Sequence, residues 1–307
     1  MTASRVLRSK LAKRRVWRRV FLERLTEPLH LNALSLLVLG FGSYRSKTAW
    51  DLVVRQPYAF GALEAADIAL ASGLSAVTLI EVGVASGGGL MNLASIAERV
   101  SKETGVRCEV HGFDSGAGMP AAVDYRDHPD LYQEGDFAMD EVALRAALPQ
   151  GTKLHLGPLS STIPRFLADA SFSAPVGFVA LDVDYWSSTV DALELLKGQP
   201  ESYLPRTVVY VDDVALSEHN SAAGASLAIR EFNEATPSRR LERHAFLEDR
   251  RIFRNAGWIK QTMFLHVLDH PRRAQPAVVD TKRHMENPYL GTPQPKELFH
   301  PGRSPGR

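Results

Sequence analysis

The sequence predicts an α/β protein built on a mostly parallel sheet with helices on both faces. Three observations point there. Extended and helical patterns alternate along most of the 307 residues, as they do in chains of strand–helix–strand units. Two extended runs, GFVAL (177–181) and TVVYV (207–211), are continuously apolar and read as buried core strands. Each is followed by a pair of acids, Asp182 with Asp184 and Asp212 with Asp213. Acids there would emerge at the carboxyl edge, where sheets of this kind bind their ligands.

Taken in order, the extended runs are 77–82 (VTLIEV), 108–113 (CEVHGF), 153–156 (KLHL), 176–182, 207–212, about 242–247, and 259–268 (IKQTMFLHVL). Helical spacing of apolar residues recurs over 47–54, 57–72, 88–104, 138–148, 160–169, 187–197 and 221–235. The expected division is a basic N-terminal helical extension (1–45), one large α/β domain (46–269) and a Pro-rich irregular tail (270–307).

Composition is that of a globular protein, 45% apolar and 23% charged. Cys108 is the single cysteine, so no intramolecular disulfide forms. That suits a reducing cytoplasm, the expected location, although a disulfide-free secreted protein would look the same. No stretch reaches the ~20 apolar residues of a membrane span. The longest candidate, LHLNALSLLVLGFG (29–42), is short and carries His30 and Asn32.

The net charge of +1 conceals an uneven distribution. Residues 1–24 hold nine Lys/Arg and one acid, +8, and residues 270–307 hold seven Lys/Arg and three acids, +4, which leaves −11 for the middle. An acidic body argues against nucleic acid as a partner. The basic N-terminus, with Leu7, Leu11, Val16, Trp17, Val20, Phe21 and Leu25 near helical spacing, reads either as a helix packed on the body or as one lying on an anionic membrane surface. Eight basic residues in the first nineteen do not read as a signal peptide.

LIEVGVASGGGLMNLASIAERV (79–100) is a strand, a glycine turn and a helix. Gly83 allows a sharp turn, and Gly87, Gly88 and Gly89 let a ligand approach the backbone beside a helix N-terminus. Ala85 stands where a nicotinamide-binding turn has its second glycine, and no G-K-[ST] follows. The spacing is instead E-x-G-x-x-x-G-G, with Glu81 able to hold the cationic end of a ligand. A tight structural turn is the other reading. Asp114, in HGFDSGAGMP (111–120), ends the next strand, where an acid can accept both hydroxyls of a ribose. Two acids about one turn suit a positively charged nucleoside ligand, the character of S-adenosylmethionine.

IEVGVASGG, GFDSGAGMP, LDVDYWSSTVDALELL and VYVDD resemble, in that order, the motifs of the macrocin O-methyltransferase family. Members methylate sugar hydroxyls with S-adenosyl-L-methionine and Mg²⁺. The resemblance spans residues 75–235 and implies a Rossmann-like class I methyltransferase, with seven strands, the last antiparallel. It implies cofactor residues at Glu81, Gly83, Gly87, Asp114 and Ser115, with Gly157 and Ser161 near the adenine. It implies metal ligands at Asp182, Asp212 and Asp213, and a general base at Asp184. The chain departs from the family pattern at Gly116, Ala117 and Val214.

Mg²⁺ prefers hard oxygen ligands. Bound beside a hydroxyl, it would lower that group's pKa and orient it, and Asp184 could take the proton. Residues two apart on a strand face one side, so Asp182 and Asp184 can share a pocket. Asp184 could alternatively cap the following helix, as Ser187 or Ser188 could. His219 is an alternative base. Asp212 and Asp213 could be a solvated strand end. The polar stretch holding Tyr125, Arg126, Asp127, His128, Tyr132 and Asp136 reads as a solvated loop or a cover over the cofactor. RQPYAFGALEAADIA (55–69), just before the first strand, reads as a packing helix by default, or as one that closes over the site. The expected acceptor is a glycoside-like small molecule. The alternatives are a catechol-type phenol acceptor, or a catalytically inactive, membrane-associated binding module of the same fold. The sequence leaves open whether the chain forms a homo-oligomer.

Overall fold

The computed structural model describes residues 21–169, 174–215 and 220–274. Seven strands form one sheet in the order β3-β2-β1-β4-β5-β7-β6. They are β1 (Ala76–Val82), β2 (Arg107–Asp114), β3 (Lys153–Leu156), β4 (Val176–Leu181), β5 (Tyr203–Val211), β6 (Arg239–Arg243) and β7 (Thr262–Val267). Every neighbouring pair is parallel except those made by β7, which runs antiparallel to β5 and β6. This is the sheet of the class I methyltransferase fold.

The helices are α1 (Leu29–Phe41), α2 (Tyr44–Ala49), α3 (Gln56–Ala71), α4 (Gly88–Thr104), α5 (Glu141–Ala147), α6 (Leu159–Ala168), α7 (Trp186–Leu193) and α8 (Gly224–Ala235), with a last short turn at Pro271–Ala274. Alternate residues of the central strands feed two cores. Val77, Leu79, Phe178 and Ala180 pack with α3 and α4, while Ile80, Val82, Val179 and Leu181 pack with α6, α7 and α8. Both faces are therefore dry, which is why β1 and β4 are buried at every position; β4 reads as an unbroken apolar run, and β1 is interrupted only by Thr78 and Glu81.

Helices 88–104 and 160–169 and strands 77–82 and 153–156 fall where the sequence puts them, within one residue at each end. Several elements differ. The helix expected over 47–54 is α2, at Tyr44–Ala49, and the strand expected over 259–268 begins only at Thr262, after a helical turn at Gly257–Gln261. β5 begins at Tyr203, ahead of Pro205, because its pairing with β4 shifts register between Val176 and Phe178 and the proline falls in that irregularity. β6 lies at 239–243 rather than about 242–247. It is an edge strand with only Arg239 and Leu241 buried, so it carries little apolar signal. α1 occupies 29–41, within the stretch expected as a helical extension but beyond the basic, periodic part at 7–25.

The compact unit runs through Ala274 and takes in residues 21–45. The Glu27 carboxylate accepts from the Arg254 and Asn255 amides at 2.6 and 2.8 Å. The Arg24 guanidinium lies 3.6 Å from the centre of the Phe253 ring. At the β2–β3 edge, His111 Nδ1 and His155 Nε2 stand 3.1 Å apart, and the His155 ring stacks on Phe113. The chain order reverses between β1 and β4, which opens a crevice above the carboxyl ends of these two strands.

Candidate active site

That crevice holds a cavity of ≈ 460 Å³, within the range of small-molecule sites. The glycine turn forms one wall. Gly83 (φ +89°) lies so close to the end of β4 that a Cβ there would overlap the Asp182 carbonyl oxygen. Gly89 opens the first turn of α4, and a Cβ there would overlap Glu81 Oε1. Gly88 and Gly89 line the cavity. Gly87 does not; it packs against Leu144 of α5 instead.

Glu81 ends β1 beneath Gly89 and is 1% exposed. Tyr58 Oη, from α3, donates to its Oε1 at 2.6 Å, and Oε2 has no partner. Burial pushes the Glu81 carboxyl up to about 8. The Tyr58 hydrogen bond and Arg55 pull it down, and Asp182 and Asp114 push it further up. Among the described residues that line the cavity, Arg55 is the one cation, against five carboxylates, Glu81, Asp114, Asp182, Asp184 and Asp191. Its backbone is left-handed (φ +52°), a costly conformation for a non-glycine residue, and its guanidinium lies 5.1 Å from the Tyr58 ring centre. Sequence reasoning missed Arg55 and Tyr58, because nothing in the local pattern separates them from an ordinary packing helix.

Asp114 reaches back to brace the turn. Its Oδ2 accepts from the amides of Val84 and Ala85, each at 2.8 Å, and its Oδ1 accepts from the Gly116 amide at 2.7 Å. A carboxylate offers about four acceptor sites, so three are used internally and about one remains for a ligand hydroxyl. Ser115 lines the cavity, but its hydroxyl donates to Gly118 O and accepts from Ala117 N within its own turn. After β3 the cavity wall is Pro158 and Leu159, not Gly157 or Ser161. The Ser161 hydroxyl donates back to Pro158 O in the first turn of α6.

At the ends of β4 and β5 the structure gathers the aspartates into one electrostatic cluster. Asp182 and Asp184 line the cavity, and Asp212 and Asp213 stand behind them. Burial, then Asp212 and Asp184, push the Asp182 carboxyl up to about 7. Burial, then Asp184, Asp212 and Asp182, push Asp213 up to about 8. Asp184 is also raised, by burial first and Asp212 next, against hydrogen bonds from Tyr132 and Asp213. Asp212 Oδ1 accepts from Tyr210 Oη at 2.5 Å, and Gln261 Nε2 donates to the Asp212 carbonyl.

Among the described residues no group of three or more His, Cys, Asp and Glu side chains is arranged as a formed metal centre. The donor set nevertheless fits a hard divalent cation in its chemistry, being all carboxylate with strong mutual repulsion. His219 lies outside the described residues.

The insertion after β2 is docked rather than solvated. Asp127 is fully buried. Its carboxylate accepts from the Val123 amide (2.9 Å), the Ser187 amide (2.8 Å) and the Ser187 hydroxyl (2.8 Å). It therefore occupies the N-terminal capping position of α7 that the sequence offered to Asp184, Ser187 or Ser188. Asp184, with φ +36°, is left facing the cavity. The Arg126 guanidinium covers the Trp186 ring at 3.5 Å, and Met119, Pro120 and Phe137 of this insertion complete the cavity wall.

No protein-family model and no curated protein matches the chain. Among solved structures it is similar to the O-methyltransferase NovP, with 16% identity over 78% of this chain and 98% of that one, TM-score 0.47. It is also similar to the calicheamicin methyltransferase CalS11 (19% identity, 74% and 81% covered, TM-score 0.41). A third is an O-methyltransferase from Bacillus cereus in complex with SAH (16% identity, 80% and 93% covered, TM-score 0.38).

Proposed function

We propose that the chain is an S-adenosylmethionine-dependent O-methyltransferase acting on a hydroxyl of a glycoside or related small molecule. The observation that carries this reading is Glu81: a buried carboxyl with one unpartnered oxygen, set between a glycine turn and Arg55, the only cation among the described residues of the cavity lining. A buried acid left half-satisfied is costly, and a ligand ammonium would satisfy it. Arg55 would meet the carboxylate of the same amino-acid moiety. The remaining acceptor site of Asp114 would take a ribose hydroxyl. Gly88 and Gly89 leave room for the ligand's backbone approach.

Bound there, S-adenosylmethionine would supply the methyl group to the acceptor oxygen, the electron pair of its carbon–sulfur bond staying on sulfur as the leaving group. Asp184 takes the hydroxyl proton. Burial raises its carboxyl above the ordinary range, which makes it the stronger base. Mg²⁺ held by Asp182, Asp212 and Asp213 would acidify and orient the hydroxyl.

Calorimetry with S-adenosylhomocysteine tests the reading. Micromolar binding is expected, and no heat at high micromolar ligand overturns it. Glycoside and catechol acceptors, each assayed with and without EDTA, then separate the sugar reading from the phenol one.

A further inference from the structure

Helix α1 (Leu29–Phe41) presents a surface that the methyltransferase reading does not use. Leu29, Leu34, Leu36, Leu37, Leu39 and Phe41 are between 46% and 91% exposed, and Ser35 is the helix's only buried residue. Leu22 and Leu25, just before it, are exposed as well. An apolar surface of this extent is not left in water by a soluble protein without a partner to cover it.

Its geometry selects the partner. At about 100° per residue the six exposed positions spread over about 220° of the helix circumference. Ser35 and the half-buried Leu31 and Val38 fill the remaining arc, which faces the body. A helix packed on another protein surface buries a stripe of roughly 100°, which would leave the rest of this arc wet. A lipid phase wets all of it. No Asp, Glu, Lys or Arg occurs from Pro28 to Tyr44.

At ~1.5 Å per residue the helix is about 20 Å long, short of the ~30 Å hydrocarbon core, and no described helix is long and apolar enough to cross a membrane. It can therefore lie in the interface but not span. The flanking charge is complementary to anionic lipid: residues 1–24 carry +8 and lead directly into this segment. Both ends of the helix are tied to the body. Glu27 holds the start through the Arg254 and Asn255 amides. Just past the other end, Arg45 of α2 donates to both carboxylate oxygens of Asp67 in α3, at 2.6 and 2.7 Å. Insertion of α1 would thus hold the whole domain at the surface.

We infer that α1 is a monotopic anchor that seats this protein on an anionic lipid surface, with the basic N-terminal segment supplying the attraction and α1 the insertion. This inference does not depend on the methyltransferase reading.

Flotation of the full chain tests it, using vesicles of phosphatidylcholine alone and vesicles with about 30% phosphatidylserine. The protein is expected to float with the anionic vesicles and far less with the neutral ones, and high salt should weaken its recovery. Leu36→Asp with Leu37→Asp is expected to lower partitioning at least about tenfold without altering the circular dichroism spectrum, since both residues face solvent. Arg14→Gln, Arg15→Gln, Arg18→Gln and Arg19→Gln together are expected to abolish the dependence on phosphatidylserine. Absence of flotation from both vesicles overturns the inference, as does flotation that the α1 pair leaves unchanged. Sedimentation closes the alternatives. A dimer that the α1 pair dissociates, in a chain that ignores vesicles, gives the face to a second copy. A monomer that ignores vesicles gives it to this chain's own residues 1–20.

Discussion

Tyr58 Oη donates a 2.6 Å hydrogen bond to Glu81 Oε1 while Glu81 Oε2 meets no partner. One side of the carboxyl is held by the fold, and the other is held open. The arrangement is expected to make Glu81 costly to the free protein and useful to the liganded one. Its carboxyl is raised from an ordinary 4.5 to about 8. A raised group contributes stability that is present below the unfolded pKa and lost as pH rises through the folded one. Glu81→Gln is therefore expected to raise the melting temperature of the free protein at pH 8, by an amount equivalent to roughly 2 kcal/mol. The same change should weaken S-adenosylhomocysteine binding by about 10- to 100-fold. Scanning calorimetry and titration calorimetry on one pair of proteins check both. A variant that binds as well as the wild type removes Glu81 from the site.

The free-protein pKa of Glu81 also sets a pH dependence. A ligand ammonium pairs with the ionised carboxylate, so a proton must leave before binding when the pH is below about 8. Affinity for S-adenosylhomocysteine is expected to rise with pH by up to about tenfold per unit toward pH 8, then flatten while the ligand amine stays charged. Titrations in buffers of different ionisation enthalpy should register the released proton.

Arg55 is expected to read the other end of the same moiety. Arg55→Met should weaken S-adenosylhomocysteine roughly tenfold or more. It should leave 5′-methylthioadenosine, which has neither amine nor carboxylate, within about a factor of three. Glu81→Gln should behave likewise toward that shortened ligand. Equal losses for both ligands would mean that Arg55 acts only by holding α3 in place.

The aspartate cluster predicts a response to cation. Mg²⁺ at about ten times its dissociation constant stabilises by about 1.4 kcal/mol, a rise of about 2–4 °C in a domain of this size. That rise is expected over an EDTA control, since the cation relieves the repulsion among Asp182, Asp184, Asp212 and Asp213. Asp213→Asn should raise the melting temperature in EDTA and blunt the response to Mg²⁺. A wild-type transition that Mg²⁺ does not move takes the metal out of the mechanism.

The imidazole pair at the β2–β3 edge predicts acid sensitivity unconnected with catalysis. Burial first, then His155 and Lys153, lowers His111 from 6.5 to about 4, with Glu109 opposing; His155 is lowered as well, by burial first and Lys153 next. Between these values the unfolded chain binds the proton and the folded chain does not. Stability therefore falls as pH drops from about 6.5 toward 4, by an amount on the order of 3 kcal/mol for His111. His111→Gln should flatten the dependence of urea midpoints on pH over that window, and an unchanged slope would assign the acid sensitivity to other groups.

What could be read from the sequence follows from where the information sits. β1, the glycine turn and α4 are contiguous, so Glu81, Gly83 and Gly89 could be found by spacing alone. Asp182 and Asp184 were legible for the same reason: an apolar run makes its own terminus conspicuous. Arg55, Tyr58 and Tyr132 reach the site from α3 and from the insertion after β2, and only the folded chain brings them there. Asp114 was legible as a strand-end acid, but its engagement with three amides of its own loops was not. Asp127 was hidden in a segment whose polar composition looks solvated, because a buried carboxylate that accepts three hydrogen bonds has the same one-letter code as a surface one. The bounds of α1 within the expected helical extension escaped because a helix apolar over most of its circumference has little of the one-sided periodicity by which helices are read.

Asp127 has a consequence for how the cleft admits an acceptor. This one carboxylate fastens the insertion that carries Phe137 to the helix that follows Asp184. The outer wall and the acid side of the cleft are thereby keyed to each other. Widening the entrance requires the insertion to shear away as a block, with the two hydrogen bonds that Ser187 gives to this one side chain breaking together. Admission is then graded by girth: slim acceptors slip in beneath a stationary wall, and a bulky one must first pull the latch.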